Sequence, residues 1–314
     1  MSDIPAMHTL YLNITKEQLP IIYRKEYNVK FCGLEKLHPF DTKKYGHIFK
    51  ILTDSGMISH KTVVVPNEAK NEHLLLVHKK KYLKSLKCSF KVAKIAEIAP
   101  LILVPNCLIQ KAYLRPMRSD KFSFRVLIYY QPFNLGFRLV VRFWLVNLPW
   151  IEVQKVMIVD LDAHQGNGYE ADFKGNDNIY IMDVYNKWIY PKDIRARQAI
   201  KKNVPIDYNT SDELYLKTIK KNFLEALSEF KPNIIIYNAG TDILAGDRLG
   251  GLSVSEQGII SRDEFIFHQA ISRKIPIVML TSGGYQKKTA RIIANSILNL
   301  YELGLINNSQ EYYF

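Results

Sequence analysis

In VMIVDLDAHQGNG, Val156 to Gly168, five residues with the composition of a buried strand run straight into Asp160, Asp162, His164 and a glycine-punctuated loop. Asp162 and His164 are two positions apart, so an extended backbone points both side chains the same way. A third carboxylate, Asp242, follows another apolar run in NIIIYNAGTD, and Tyr285 follows a further one in PIVMLTSGGY. Asp162, His164 and Asp242 together make three ligands of N/O character, leaving a fourth position for water, as a catalytic zinc requires. A bound divalent metal can bring the pKa of its water toward about 7 and polarise a carbonyl. Tyr285, reached over Gly283-Gly284, can donate its hydroxyl to the oxyanion that forms. The chemistry this describes is hydrolysis. Each fragment also has a purely structural reading: DxH as a helix cap with a satisfied histidine, GTD as a turn, GGY as a glycine turn with a packed tyrosine. Their coincidence at successive strand ends favours the metal site.

The elements that must position these residues follow from hydrophobic pattern. VMIVD, NIYIMDV (Asn178 to Val184), NIIIYN (Asn233 to Asn238) and PIVMLT (Pro276 to Thr281) read as strands buried on both faces. Helical patterns lie between them. One opens at Thr210-Ser211-Asp212-Glu213, a capping box, and carries Leu216, Ile219, Phe223, Leu227 and Phe230 at three- and four-residue spacing. The last shows Ile293, Ile297 and Leu300 on one face and stops near Gly304. Strands alternating with helices predict an α/β fold, a mainly parallel sheet with helices on both faces, and in such sheets ligands bind outside the carboxyl ends of the strands. Helical patterns over Lys43 to Met57 and Glu68 to Leu86, then the apolar run APLILVPN, are compatible with an N-terminal half that shares the sheet. No linker-like composition divides the chain, so residues 1–314 are expected to form a single domain.

Composition narrows the classes. With 314 residues and 47% apolar content, the chain can bury a substantial core. The balance of 43 basic against 30 acidic side chains gives +13, which fits anionic partners or a solubilising surface field. Aromatic residues are not interleaved with the basic ones in a pattern that reads nucleic acid, so sequence-specific nucleic-acid binding is not expected. Cys32, Cys88 and Cys107 form no CxxC pair, which indicates neither a disulfide framework nor a cysteine zinc site. The start MSDIPAMHTL has no apolar signal region, and no charge-free apolar run approaches the ~20 residues of a transmembrane helix.

Residues 121–151, KFSFRVLIYYQPFNLGFRLVVRFWLVNLPWI, are different in kind. The segment has no acidic residue, holds Trp144 and Trp150, and shows no clear helical or strand period. It reads as three buried strands, as a hydrophobic loop facing lipid or a partner, or as sequence foreign to the fold.

DLDAHQGNG, YIMDVYNKWIYP, NAGTDILAGDRLGGLS and TSGGYQKKTARIIANSILNL resemble the zinc-dependent histone deacetylases, specifically the class IV, histone deacetylase 11 type. GLEKLHPFD, LLLVHKKKYL and LRPMR are similar to the same subfamily, so the resemblance spans residues 10–118 and 152–306. It implies the arginase-deacetylase α/β fold with a mainly parallel eight-stranded sheet. It makes Asp162, His164 and Asp242 the ligands of Zn2+ and Tyr285 the oxyanion-stabilising hydroxyl. It also implies a structural K+ near Asp160, the backbone of Asp162 and His164, and Asp183. The substrates implied are acylated lysine side chains of histones or other proteins, with acetyl or long-chain fatty-acyl groups, in chromatin-associated complexes in the nucleus or in the cytoplasm.

One part of the family pattern is missing. Its members carry a glycine-rich loop ending in paired histidines, which act as general base and acid, between the parts matching LRPMR and DLDAH. Here that interval is the segment 121–151, which is shorter, has no histidine and has Gly136 as its one glycine. No two of His8, His38, His47, His60, His73, His78, His164 and His268 are adjacent. Three origins fit: intron or frame-shifted sequence in place of an exon, a genuine form with impaired catalysis, or a base supplied by another residue. The expected function is a zinc-dependent lysine deacylase, impaired as the sequence stands, with a non-catalytic acyl-lysine binder or complex subunit as the alternative. An arginase-type dinuclear hydrolase is disfavoured, because neither the segment around Asn167 nor the spacing in GTDILAGD supplies the DxHxD and DxD patterns of a second metal.

Overall fold

The computed structural model describes residues 17–28, 40–65, 80–81 and 154–306, and the backbone of Val126–Tyr130. Six strands form one sheet: β1 (Val126–Tyr130), β2 (Val156–Asp160), β3 (Ile179–Asn186), β4 (Lys202–Ile206), β5 (Ile234–Asn238) and β6 (Ile277–Thr281). Their order is β1-β6-β5-β2-β3-β4, and every pairing is parallel. The chain runs outward from β2 through β3 to β4, then returns to the other side of β2 to place β5 and β6. The gap between β2 and β5 is therefore a topological switch point, where the flanking connections diverge and leave a crevice at the carboxyl ends.

All residues of β2, β3, β5 and β6 are buried, as β-branched runs covered on both faces must be. The α/β architecture expected from the alternating pattern is thus present, with six strands rather than eight among the described residues. Lys202–Ile206 adds a strand that the apolar runs do not predict. KNVPI lies at the sheet edge, alternates exposed and buried positions, and tolerates Pro205 because an edge strand need not donate on its outer side.

Among the described residues, the helices that accompany the sheet are α1 (Lys44–Asp54), α2 (Asn167–Phe173), α3 (Asp212–Glu229), α4 (Glu256–Ser272) and α5 (Thr289–Glu302). Helices α3, α4 and α5 pack in series, and α1 packs on α5. The pattern over Lys43 to Met57 accordingly becomes α1, whereas the pattern over Glu68 to Leu86 and the run APLILVPN lie outside the described residues. In α3 the buried face is Tyr215, Ile219, Phe223, Ala226 and Leu227, with Leu216 and Phe230 only half-buried. Its expected capping box does not form: Ser211 occupies the N-cap position without a side-chain bond. Asp212 is committed elsewhere, accepting from the backbone N–H of Ser255 at 2.6 Å and from the Ser255 hydroxyl. Ser255 in turn caps α4 by accepting from Gly258 N at 3.0 Å. The two helix starts are thereby tied together, a tertiary use of Asp212 that outcompetes the local one. Helix α5 ends as expected, with Gly304 in the left-handed region at φ 68°.

Of the segment 121–151, Val126–Tyr130 forms strand β1 against β6, in register Val126 with Ile277 through Tyr130 with Thr281. One strand of the three that the segment could supply is thus present, and the remainder of the segment lies outside the described residues.

Phe223 is fully buried in α3, edge-on to Phe265 of α4 at 6.3 Å between ring centroids. Phe223→Ala should cost about 3–5 kcal/mol in unfolding free energy measured by denaturant titration. A loss under about 1 kcal/mol would mean that the contact between α3 and α4 is not a core contact.

Candidate active site

Asp160, the last residue of β2, stands in register with Asn238 of β5 on one side and Asp183 of β3 on the other. Beyond the last ladder bonds, Leu161 N to Asn238 O at 3.0 Å and Ala239 N to Leu280 O at 2.7 Å, the segments following β2 and β5 run side by side. Gly240 is where they touch: a Cβ there would come within 2.5 Å of Asp162 Oδ2 and 2.7 Å of Asp162 Cα. Only a residue without a side chain allows this approach.

The three residues singled out as ligands converge. His164 Nδ1 lies 2.8 Å from Asp242 Oδ2 and 3.2 Å from Asp162 Oδ1, and one donor atom from each residue falls within 4.8 Å of the others. Both carboxylates are fixed from behind. Asp242 Oδ1 accepts from Ala163 N at 2.8 Å, and Asp162 Oδ1 accepts from His164 N at 2.8 Å. Asp162 Oδ2 accepts from the Ser282 hydroxyl at 2.9 Å and from Gly283 N at 3.1 Å. The loop after β6 thus closes on the loop after β2.

Tyr285 belongs to the same constellation. Its ring is edge-on to that of His164, 6.3 Å between centroids, and its backbone N–H donates to Asp247 Oδ2 at 2.8 Å. Asp247 also accepts from Leu249 N at 3.0 Å and Gly250 N at 3.3 Å, so one carboxylate joins the Tyr285 loop to the loop that carries Asp242. Lys44, fully buried on α1, donates to the carbonyls of Ser282 at 2.9 Å, Gly283 at 3.2 Å and Gly284 at 3.3 Å. It holds the turn that aims Tyr285.

Asp160 and Asp183 are buried immediately behind this group. Asp160 accepts from Asp162 N at 3.0 Å, Asn238 Nδ2 at 2.8 Å and the Tyr169 hydroxyl at 2.8 Å. Asp183 Oδ2 accepts from Gly166 N at 2.9 Å, and Glu170 Oε2 from Gln165 Nε2 at 2.7 Å. Asp183 Oδ1 and Glu170 Oε1 are buried and meet no donor among the described residues.

Burial dominates the electrostatics. It raises Asp160 and Asp183 well above the ordinary carboxylate range, reinforced in Asp160 by the charge of Asp162 and in Asp183 by that of Asp160. Burial and the neighbouring Asp162 push Asp242 up to about 7. At Asp162 the same burial is outweighed by hydrogen bonding and attraction to His164, which hold its carboxyl well below its usual value. His164 is pushed up to about 11: burial opposes its charge, but the hydrogen bonds to Asp162 and Asp242 win. Lys44 is lowered by burial to about 8, with Asp242 and Asp162 limiting the drop. Asp160, Asp162, Asp183, Asp242 and Glu170 thus form a buried acidic group in which the charge of Arg262 is already matched by Asp263. An arrangement of this kind, with donor atoms converging and more carboxyl groups than cationic side chains, can hold cations.

All the residues that the sequence marks as ligands or hydroxyl donor meet at one place, and Asp160 and Asp183 flank it. Lys44 and Glu170 join them from outside the motifs, and Asn238, Asp247 and Ser282 join them from within the motifs without having been singled out. Asn238 ends β5 and Ser282 directly follows β6, positions at the carboxyl ends of strands that could have flagged them. Lys44 lies four residues before Ile48 and eight before Leu52, on the buried face of α1, so its helical phase carried the signal.

The histone deacetylase domain family matches residues 144–301. Histone deacetylase 2 of Arabidopsis thaliana is 41% identical over 326 aligned residues, which cover 96% of this chain and 84% of that protein. Histone deacetylase 1 of Homo sapiens is 29% identical over 140 residues, 42% of this chain and 28% of that protein. Among solved structures, a histone deacetylase homologue complexed with SAHA superposes with a TM-score of 0.67 at 17% identity, covering 91% of this chain and 84% of that one. The HD domain of HDA15 superposes with a TM-score of 0.66 at 17% identity, covering 91% and 88%. These structures share the arginase-deacetylase α/β fold. With the domain match and 41% identity across nearly the whole chain, the protein belongs to the histone deacetylase family, hydrolases that act on acetyl-lysine.

Proposed function

We propose that the chain is a zinc-dependent lysine deacylase of the class IV, histone deacetylase 11 type, built as a single domain, whose substrates are acetyl- or fatty-acyl-lysine side chains of histones or other proteins. The observation that carries this reading is the convergence of Asp162, His164 and Asp242. One imidazole and two carboxylates suit Zn2+, and His164 Nδ1 faces both carboxylates, 2.8 Å from Asp242 Oδ2 and 3.2 Å from Asp162 Oδ1. When bound there, zinc supplies an activated water and polarises the acyl carbonyl.

The chain's own residues have separable tasks. Asp162 is kept in place by Ser282 and Gly283, and Asp242 by Ala163, so neither ligand needs to reorganise. The Tyr285 hydroxyl donates to the oxyanion, with Asp247 and Lys44 fixing its backbone. A K+ ion would sit beside Asp160 and Asp183, together with the backbone of Asp162 and His164; the clustering of the buried Asp160, Asp183 and Glu170 carboxyls supports a monovalent charge there. The chain would work in the nucleus or the cytoplasm, with chromatin-associated complexes as its setting.

Proton transfer is where this chain departs from an efficient enzyme. Residues 121–151 contain no histidine, and no two histidines of the chain are adjacent. Without that pair, no two adjacent histidines are there to take the proton of the attacking water and to protonate the leaving amine, and losing such general acid–base catalysis typically costs ~10²–10⁴-fold. The same absence favours a second reading, a non-catalytic zinc protein that binds acyl-lysine or serves as a complex subunit.

Zinc is expected at one ion per chain by equilibrium dialysis with elemental analysis, and Asp242→Ala should abolish it. Two manganese ions, or unchanged zinc affinity in Asp242→Ala, would overturn the site assignment. On acetyl- and long-chain acyl-lysine peptides, the unaltered chain should be nearly inactive. Replacing residues 121–151 with a glycine-rich loop carrying two adjacent histidines should raise kcat/KM by about 10² or more. In that restored form, Tyr285→Phe should lower kcat with little change in KM, because the lost hydrogen bond belongs to the transition state. Robust activity of the unaltered chain, lost on chelation and in His164→Ala, would instead mean that another side chain supplies the base and that residues 121–151 belong to a working enzyme.

A further inference from the structure

Arg262 of α4 is a fully buried arginine. Its Nη1 donates to Gly240 O at 2.7 Å and to Leu161 O at 3.3 Å. Leu161 immediately precedes Asp162, and Gly240 lies two residues before Asp242. One guanidinium nitrogen, with one hydrogen for each acceptor, therefore spans the two backbone segments that deliver the carboxylate ligands. Leu161 O also accepts from the Tyr215 hydroxyl of α3 at 3.1 Å.

The place of these carbonyls explains the demand. Both lie just beyond the last β2–β5 ladder bonds, where the strands no longer satisfy one another and a buried C=O must find another donor. Arg262 is held for that purpose on its other edge, where Nε meets Asp263 Oδ1 at 2.8 Å. Asp263 is itself fixed by the Tyr237 hydroxyl and by Ser296 Oγ at 2.6 Å. Arg262 Nη2 is buried with no hydrogen-bond partner among the described residues. Burying an arginine with a donor left over is a poor way to fill space, since an unpaired donor forfeits its hydration. The bonds that Nη1 makes to the two loops are what this side chain offers over an apolar one.

We propose that Arg262, assisted by Tyr215, is a positioning residue for the metal site: it sets the separation of the Asp162 and Asp242 segments and thereby their affinity for a divalent metal. The inference rests on reading Asp162, His164 and Asp242 as metal ligands. Lysine cannot reproduce it, because an ammonium is a point donor on a flexible stem and lacks the planar guanidinium that meets Asp263 through Nε and both carbonyls through Nη1. The contact at Gly240 makes the geometry sensitive, since the backbone of one segment already touches the carboxylate of the other.

The test uses the full chain and Zn2+ in competition with a chromogenic chelator, with the d–d absorption of Co2+ as a report on ligand geometry. Arg262→Lys should bind zinc 10- to 100-fold more weakly, the range for residues that orient ligands, and should shift the Co2+ bands. Arg262→Met combined with Asp263→Asn, which leaves no unpaired buried carboxylate, should do the same. Ile266→Val, a buried change one turn further along α4 that removes no hydrogen bond, serves as the control for lost stability and should stay within twofold of the unaltered chain. Folded Arg262 variants with unchanged affinity and bands overturn the proposal, and so does a matching loss in Ile266→Val. If the Arg262 variants do not fold, Tyr215→Phe carries the test: severalfold weaker binding supports the clamp, and unchanged binding overturns it. Failure of the unaltered chain to bind zinc would sink the metal-site reading itself and the inference with it.

Discussion

Parallel pairing of β2 with β5 sets Asp160 opposite Asn238, and the two strands then release their chains at the same level on the same end of the sheet. Within two residues on one side and four on the other, Asp162 and Asp242 are reached. No long-range coincidence is needed to bring the carboxylates together once this register is set. A slip of one residue would exchange the faces of a strand, turning Asp160 away from Asn238 and unpairing the bonds behind it. Register here is enforced twice, by the apolar fill of both faces and by the Asn238 to Asp160 hydrogen bond at 2.8 Å. The loop after β6 adds the third component, because β6 pairs with β5 and brings Ser282, Gly283 and Tyr285 to the same end.

That geometry concentrates charge. Carboxylates are placed inside a sheet end where water is excluded, and unpaired buried charge is among the costliest features a fold can carry. The surroundings answer with directed donors: backbone N–H groups of Asp162, Ala163, His164, Gly166 and Gly283, the hydroxyls of Tyr169 and Ser282, and the amide of Asn238. Lys44 contributes positive charge without competing for the ligands, since its ammonium is engaged by three carbonyls of the Tyr285 turn. Arg262, its charge matched by Asp263, holds the carbonyls of Leu161 and Gly240. Lys44 grips backbone, and Arg262 grips backbone and Asp263, so among the described residues neither cation bonds to the Asp162 or Asp242 oxygens that face His164.

How much of this can be read in the sequence depends on whether a residue's role follows from local pattern. The strands VMIVD, NIIIYN and PIVMLT are legible because a strand buried on both faces must be a continuous apolar run, and their first polar successors mark the site. Lys202–Ile206 is not, because an edge strand with Lys202, Asn203 and Pro205 has no such run. The capping box at Ser211 fails for the opposite reason: the local pattern is present, but Asp212 bonds to Ser255, a partner 43 residues away. Lys44 and Arg262 escape because charged residues on helices are by default read as solvated. Only the helical phase of Lys44, and the position of Arg262 four residues before Ile266 on the buried face of α4, distinguish them.

The division of labour in the chain has a structural basis. Everything that shapes the candidate metal site among the described residues comes from residues 154–306, with Lys44 and Phe40 closing it from the N-terminal part. The segment 121–151 contributes β1, which lies at the end of the described sheet order and pairs with β6 alone. The sequence of β1 can change while the order β6-β5-β2-β3 and its interlocking donors persist, because none of the hydrogen bonds that fix Asp162, His164 or Asp242 among the described residues originates in it. Ligand geometry and proton transfer are therefore separable in this fold. On the proposed reading, a chain lacking the paired histidines keeps a formed zinc site and an oriented Tyr285 while losing turnover, which makes acyl-lysine binding the property that outlasts catalysis.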